Sequence, residues 1–260
     1  IMQHSKKSFV SVAAGCASLY RSYISGELGY YTFDGNPELC ERFKGEGKKG
    51  KRLWDQEAFI YDNVNGIIPI MYEYAVGVRH HNKCKQTIPL PFDCDGINYL
   101  PNKVNGKIRI AHGVIREKSK GTSYIKEAMK IVQRKYPDEV EILLDGKMPL
   151  DKYLEWLRGC NILIDQCKEH CYGMNALYAM AEGRIVLGGA SYNSLAEFGI
   201  SKCPVIHIKP DVQQIVEQLE KLIVKKSEFE QLGYESRKFV EEFHDSKRIA
   251  QMYLDVWTNS

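Results

Sequence analysis

Six cations from residue 116 onward stand where loops are expected: Arg116, Lys118 and Lys120 ahead of Gly121, then Lys147, Lys168 and Lys209. Any one surface lysine carries little meaning. Cations delivered by successive loops to one edge of a structure would instead gather around an anionic ligand. The segment Asp165-Gln166-Cys167-Lys168-Glu169-His170-Cys171-Tyr172-Gly173 leads into Met174-Asn175-Ala176-Leu177-Tyr178-Ala179-Met180-Ala181. A helix opening at Gly173 leaves its first backbone N–H groups free for a phosphate, with the helix dipole favouring negative charge there. Its small residues suit close packing on a sheet equally well, and the two roles are compatible. Cys167-Lys168-Glu169-His170-Cys171 and His80-His81-Asn82-Lys83-Cys84 lack the second ligand pair of a closed zinc site, so no metal is expected.

These residues need a scaffold that brings separate loops together. Short β-branched runs recur at Ile108 to Ala111, Val140 to Leu144, Ile162 to Ile164, Ile185 to Leu187 and Val205 to Ile208, with helical patterns between them. Strands alternating with helices predict a parallel, doubly wound α/β sheet. Ile125, Met129, Val132 and Tyr136 mark one face of a helix that Pro137 stops, and Asp211 with Gln214 predicts another helix start. Two more helices are expected from about Ser227 to Phe243 and from Ser246 to Trp257. In such sheets ligands bind at the carboxyl ends of the strands, which is where the cations fall.

Turn residues from Pro89 to Gly106 place a domain boundary there, giving a partial N-terminal α/β domain over residues 1–105 and a C-terminal Rossmann-like domain over residues 106–260. Phe9 to Ala14 and Gly66 to Met71 are the expected strands of the first. The basic stretch from Lys44 to Arg52 reads as a mobile loop that could touch anionic lipid. Its Gly45-Glu46-Gly47-Lys48-Lys49-Gly50 spells the dinucleotide fingerprint without following a strand. Walker A and nucleophile-elbow motifs are absent, which removes support for P-loop ATPases, kinases and α/β-hydrolases. The net charge of +3 gives no global basic field, so no nucleic-acid partner is expected. No apolar run reaches the roughly 18 to 20 residues of a membrane span, and eight scattered cysteines without a leader segment place the chain in the cytoplasm. A chain that opens on Ile1 reads as part of a longer one.

Residues 107–257 resemble the nucleotide-sugar-binding half of the retaining family 4 GT-B glycosyltransferases, in a polysaccharide-assembly branch. The resemblance rests on His112-Gly113 through Lys120-Gly121-Thr122, on Asp165-Gln166 and Tyr172-Gly173, and on Ala179-Met180-Ala181-Glu182-Gly183-Arg184-Ile185-Val186. It implies that a nucleoside diphosphate sugar is the substrate, with no further cofactor, and that a cell-surface glycan or lipid-linked molecule is the acceptor. By the same resemblance Arg116, Lys120 and Gly121 would hold the diphosphate, Gly173, Met174 and Asn175 the phosphates, and Glu169 or His170 the sugar. Asp165 and Gln166 belong to the same donor site, and Tyr178 would meet the ribose or base. The chain departs from the family where Tyr178 and His170 stand in place of two glutamates, and no catalytic residue is assigned. A phenol offers one oxygen and no charge where a carboxylate offers two, so altered donor binding is expected. These departures keep two alternatives open: a non-catalytic glycosyltransferase-like subunit, and a sugar-nucleotide epimerase. Ala14-Gly15-Cys16-Ala17-Ser18 loosely resembles an acceptor-domain turn of the family without its His and Asp.

Overall fold

The structure is a computed structural model describing residues 7–13 and 17–259; Ala14, Gly15 and Cys16, and with them most of the supposed acceptor turn, lie outside the described residues. Two parallel sheets organise the chain. The first pairs β1 (Phe9–Val12) with β2 (Gly66–Pro69), and the helices α1 (Ala17–Ile24), α2 (Pro37–Phe43), α3 (Gly47–Asn63) and α4 (Tyr72–Val78) belong to the same region. The second contains β3 (Ile108–Gly113), β4 (Val140–Asp145), β5 (Ile162–Ile164), β6 (Ile185–Gly188) and β7 (Ile206–His207). Its order is β4-β3-β5-β6-β7, every pair parallel.

That order has a functional consequence. The chain leaves β3 toward β4 on one side and returns to β5 on the other, so the connections diverge between β3 and β5. A crevice opens at such a switch point outside the carboxyl ends of the strands. Helices α5 (Glu117–Lys120), α6 (Thr122–Lys135), α7 (Leu150–Arg158), α8 (Met174–Ala181), α9 (Tyr192–Glu197) and α10 (Val212–Val224) fill the connections, followed by α11 (Phe229–Phe243) and α12 (Ser246–Asn259).

Strand alternation sends side chains to two cores. Ile108, Ile110, Ile162 and Ile164 join Ile125, Met129 and Val132 of α6 and Ile215 and Leu219 of α10 on one face. Ala111 and Leu163 meet Leu157 of α7, Ala176 and Met180 of α8, and Val240 of α11 on the other. Helix α6 ends where Tyr136 N–H closes on Val132 O at 2.9 Å, just before Pro137. Asp211 caps α10 by accepting from Gln214 N–H at 3.1 Å, while the Gln214 side chain returns to Lys209 N–H at 3.1 Å. An aromatic cluster of Tyr31, Phe33, Phe43 and Tyr72 supplies a third core among α1, α2 and α4. Across β1 and β2 lies α12, through Ile249 and Val256 against Ile68 and Ile88.

The basic stretch is not the loop that its glycines predict: from Gly47 onward it forms the first turns of α3. Gly45 and Gly47 take positive φ values of 83° and 65° and turn the chain into the helix. Buried Gly50 lets Gly45 approach so closely that a Cβ would stand 3.1 Å from its carbonyl carbon. Trp54 secures the corner by donating from Nε1 to Phe43 O at 2.8 Å. Among the described residues no helix is long and apolar enough to cross a membrane.

Candidate functional site

At the switch point lies a cleft of about 480 Å³. Nine residues singled out from sequence line it: Arg116, Lys120, Asp165, Gln166, Glu169, Gly173, Met174, Asn175 and Tyr178. The opposite wall comes from the N-terminal region, through Ile70, Met71 and Tyr74, with Leu90 beside them. An adjoining recess of about 230 Å³ shares Met71, Tyr74, Arg116, Ser119 and Glu169 and continues to Glu73, Tyr31 and Arg42.

Each wall residue is placed by its element. Arg116 ends the loop after β3 in a left-handed conformation, φ 53°, and Lys147 after β4 does the same at φ 60°. They are the only two non-glycine residues with positive φ among those described, and both lie at the carboxyl edge of the sheet. Strain concentrated at such an edge is characteristic of binding sites. Arg116 is exposed and carries its charge at the mouth. Lys120 lies deeper, its Nζ 2.7 Å from Asp165 Oδ1. Asn175 donates to the same oxygen at 2.6 Å, and Tyr153 donates to Asn175 Oδ1. Burial alone would raise the Asp165 carboxyl, but the Lys120 ammonium and the two hydrogen bonds outweigh it and hold the group below its ordinary range. The α8 N-terminus is open: a Cβ built on Gly173 meets only Met71 Cε, at 4.0 Å.

Glu169 carries the opposite perturbation. Burial first, then the Glu73 and Asp165 carboxylates, push its carboxyl up to about 7, against the pull of Arg116 and Lys120. Gln166 braces this loop by accepting Glu169 N–H at 2.8 Å and donating to Cys171 O at 2.9 Å. Glu73, 2% exposed, accepts His170 N–H at 2.5 Å and Cys171 N–H at 2.6 Å through Oε1, so a carboxylate from α4 fixes the loop after β5.

Two singled-out residues stand outside the cleft lining. Gly121 is a buried turn at φ 74°, where a Cβ would strike Cys167 Sγ at 2.4 Å, so its role is to let the β3 and β5 loops approach. The His170 ring faces the N-terminal region, stacked on Tyr30 at 4.4 Å with Nε2 3.1 Å from Tyr30 O. The His170 ring is thus covered by Tyr30 and Tyr72 and does not line the cleft. Lys168 is also diverted, donating to Asp34 O at 2.6 Å, and exposed Lys118 meets Glu38 at 3.6 Å. Lys147 and Lys209 do not line the cleft. His112 is a structural tie. Burial lowers its pKa to about 4, so the neutral ring donates from Nδ1 to Ile164 O at 2.7 Å and accepts Thr122 Oγ1 at Nε2, 2.9 Å away.

No sequence signal marked Glu73, Met71, Tyr74 or Tyr153. They reach the site from elements whose place relative to the five-stranded sheet is a tertiary fact. Among the described residues no group of three or more His, Cys, Asp or Glu side chains is arranged to hold a metal ion.

The fold is shared with solved glycosyltransferases. WaaG, a glycosyltransferase involved in lipopolysaccharide biosynthesis, aligns with a TM-score of 0.64 and 12% identity over 97% of this chain and 75% of its own. Anabaena Alr3699/HepE in complex with UDP aligns with a TM-score of 0.59 and 10% identity over 84% of this chain and 69% of its own. A variant of S. aureus TarM, in complex with Fondaparinux, alpha-GlcNAc-glycerol and UDP, aligns at 0.57 and 14% identity over 77% of this chain; the chain spans 46% of its length. No protein-family model matches the sequence, and neither does any curated protein. At these identities the likeness establishes the fold: mixed α/β with parallel sheets, of GT-B type.

Proposed function

We propose that the chain is a glycosyltransferase, binding a nucleoside diphosphate sugar in the cleft between the two sheets and passing the sugar to a glycan or lipid-linked acceptor. The observation that carries this is the meeting of Arg116, Lys120 and the open α8 N-terminus at one switch-point crevice. A diphosphate placed there would have Arg116 at the mouth and backbone N–H groups at Gly173 to Asn175. Stabilising the departing nucleoside diphosphate is the electrostatic requirement of glycosyl transfer, and preorganised cations and N–H groups supply it. UDP in the HepE and TarM structures makes a uridine nucleotide the first donor to try. Retention at the anomeric carbon follows the family 4 resemblance.

We place the protein at the inner face of a membrane, in contact through α3. Lys48, Lys51, Arg52, Asp55, Gln56, Phe59 and Ile60 form one stripe along that helix, with Phe59 65% exposed. A basic stripe continued by an exposed aromatic residue suits an anionic bilayer surface, where a lipid-linked acceptor would reside.

Lys120 motivates a second reading. Its charge is already paired with Asp165 at 2.7 Å, whereas Arg116, the other cation of the donor pair, forms no ion pair among the described residues. A non-catalytic subunit could retain such a site without turnover. Calorimetric titration with UDP, GDP, CDP and dTDP tests donor binding, and release of nucleoside diphosphate from the matching sugar nucleotide tests turnover. Selective binding weakened at least tenfold by Arg116→Ala is expected. Absence of binding to all four counts against the transferase, and binding without turnover favours the subunit.

A further inference from the structure

A second cavity, of about 560 Å³, opens at the amino ends of β3, β5 and β6, on the opposite edge of the sheet from the cleft. Lys103, Lys107, Arg109, Arg158 and Arg184 line it, and no acidic side chain does. Arg184 is 3% exposed, and its guanidinium donates to Leu100 O at 2.5 Å, Cys160 O at 3.0 Å and Glu182 O at 2.7 Å. Backbone carbonyls, not a carboxylate, therefore satisfy its donors. Two carboxylates touch the other cations: Glu141 accepts from Arg109 at 2.9 Å, and Glu182 Oε1 lies 3.2 Å from Arg158 Nε. Positive charge is in excess, and Lys103, Lys107, Arg109 and Arg158 are exposed, so it faces solvent.

The shape strengthens the effect of the charge. One wall is the segment from Leu100 to Asn105 that joins the two sheets. The other is the start of β3 with the turn from Arg158 to Asn161. Asn161 ties the walls by donating to Asn102 Oδ1 at 2.8 Å and to Lys103 O at 3.1 Å. Like charges held around a low-dielectric recess focus a positive field, and Arg and Lys together suit phosphate oxygens.

We propose that this cavity is a second anion site, for a small molecule bearing two or more phosphate groups, independent of what occupies the cleft. A single phosphate would neutralise only part of the excess, whereas a polyphosphate could engage Lys103 on the connecting segment and Arg109 or Arg158 on the sheet at once. Occupancy would brace the connection between the two sheets.

Inorganic tripolyphosphate, titrated into the full chain at about 0.15 M salt, where exposed charges are already screened beyond about 8 Å, is the test. The wild type, Arg116→Ala and the Lys103→Ala/Lys107→Ala double variant are compared, with thermal unfolding run on each. Both lysines are exposed, Lys107 donating only to Pro137 O at 2.6 Å, so the double variant should fold. If it does not, Lys103→Gln/Arg109→Gln replaces it. The expected result is binding that persists in Arg116→Ala and weakens at least tenfold in the double variant. Undiminished binding by the double variant, loss in Arg116→Ala alone, or no binding by the wild type would each overturn the site.

Discussion

Glu169 is the cleft carboxyl that its surroundings push toward the neutral form. Its carboxyl, ordinarily near 4.5, is pushed up to about 7 by burial and then by Glu73 and Asp165. A carboxyl with a raised pKa favours the folded chain below its unfolded value, and that contribution is lost as pH rises from about 4.5 through about 7. Ionisation around pH 7 would place a negative charge beside the phosphates of a bound nucleotide. Nucleoside diphosphate affinity should therefore fall as pH rises through 7 in the wild type by more than in Glu169→Gln, and the difference between the two cancels the nucleotide's own titration. The same substitution should stabilise the protein at pH 8 by about 1 kcal/mol, a few degrees in Tm for a chain of this size, and have little effect at pH 5. Parallel pH profiles for the two proteins would show that Glu169 does not face the nucleotide. The sequence made Glu169 visible as an acid in the right loop, but not its perturbation. Glu73, which contributes to that perturbation and fixes the backbone of the loop, precedes His170 by 97 positions and belongs to another sheet region.

The strands of the larger sheet were legible because each is a short β-branched run bounded by turn residues, and the central β5 and β6 are buried on both faces as inner parallel strands are. α1 to α4 were not, since their buried aromatic residues, Tyr31, Phe33, Phe43 and Tyr72, follow no helical period and come partly from the turns between helices. α3 shows how a composition can mislead. Three glycines and a run of lysines describe a loop by letter, yet two glycines make the turn and the third allows close packing against it, so the cations are displayed on a helix. An ordered stripe can act collectively on a bilayer, at about 1 kcal/mol for each basic residue near an anionic surface. Vesicles containing anionic lipid should sediment the wild type and release it when Lys48, Lys51 and Arg52 are changed to Gln. Phe59→Ser should weaken binding further, whereas neutral vesicles should retain little of either protein. Sedimentation unaffected by the triple change would remove α3 from the membrane surface.

The cleft exists only because the two sheet regions are held together, and several contacts far apart in sequence hold them. Glu73 reaches the loop after β5, Thr87 pairs with Glu197, Tyr30 meets His207 Nε2 at 3.2 Å, and α12 covers β1 and β2. No local pattern encodes such contacts, which is why the sequence outlined the second sheet and its loops but not the wall facing them. Among these ties α12 is the most exposed to test, because its grip is apolar: Ile249 is 1% exposed and packs with Ile68 of β2 and Ile88. A carboxylate at that position could find no partner and would be desolvated, a change expected to cost more than about 3 kcal/mol. Ile249→Asp should therefore free α12 from β1 and β2 while leaving the five-stranded sheet its own two cores. The expected signature is a loss of aromatic near-ultraviolet signal and faster proteolysis within residues 17–90, with far-ultraviolet helicity largely kept. Nucleotide binding should weaken in the same variant even though position 249 does not line the cleft, because Met71 and Tyr74 depend on β2 for their place. Binding that survives intact would mean that the second sheet and its loops alone hold the nucleotide.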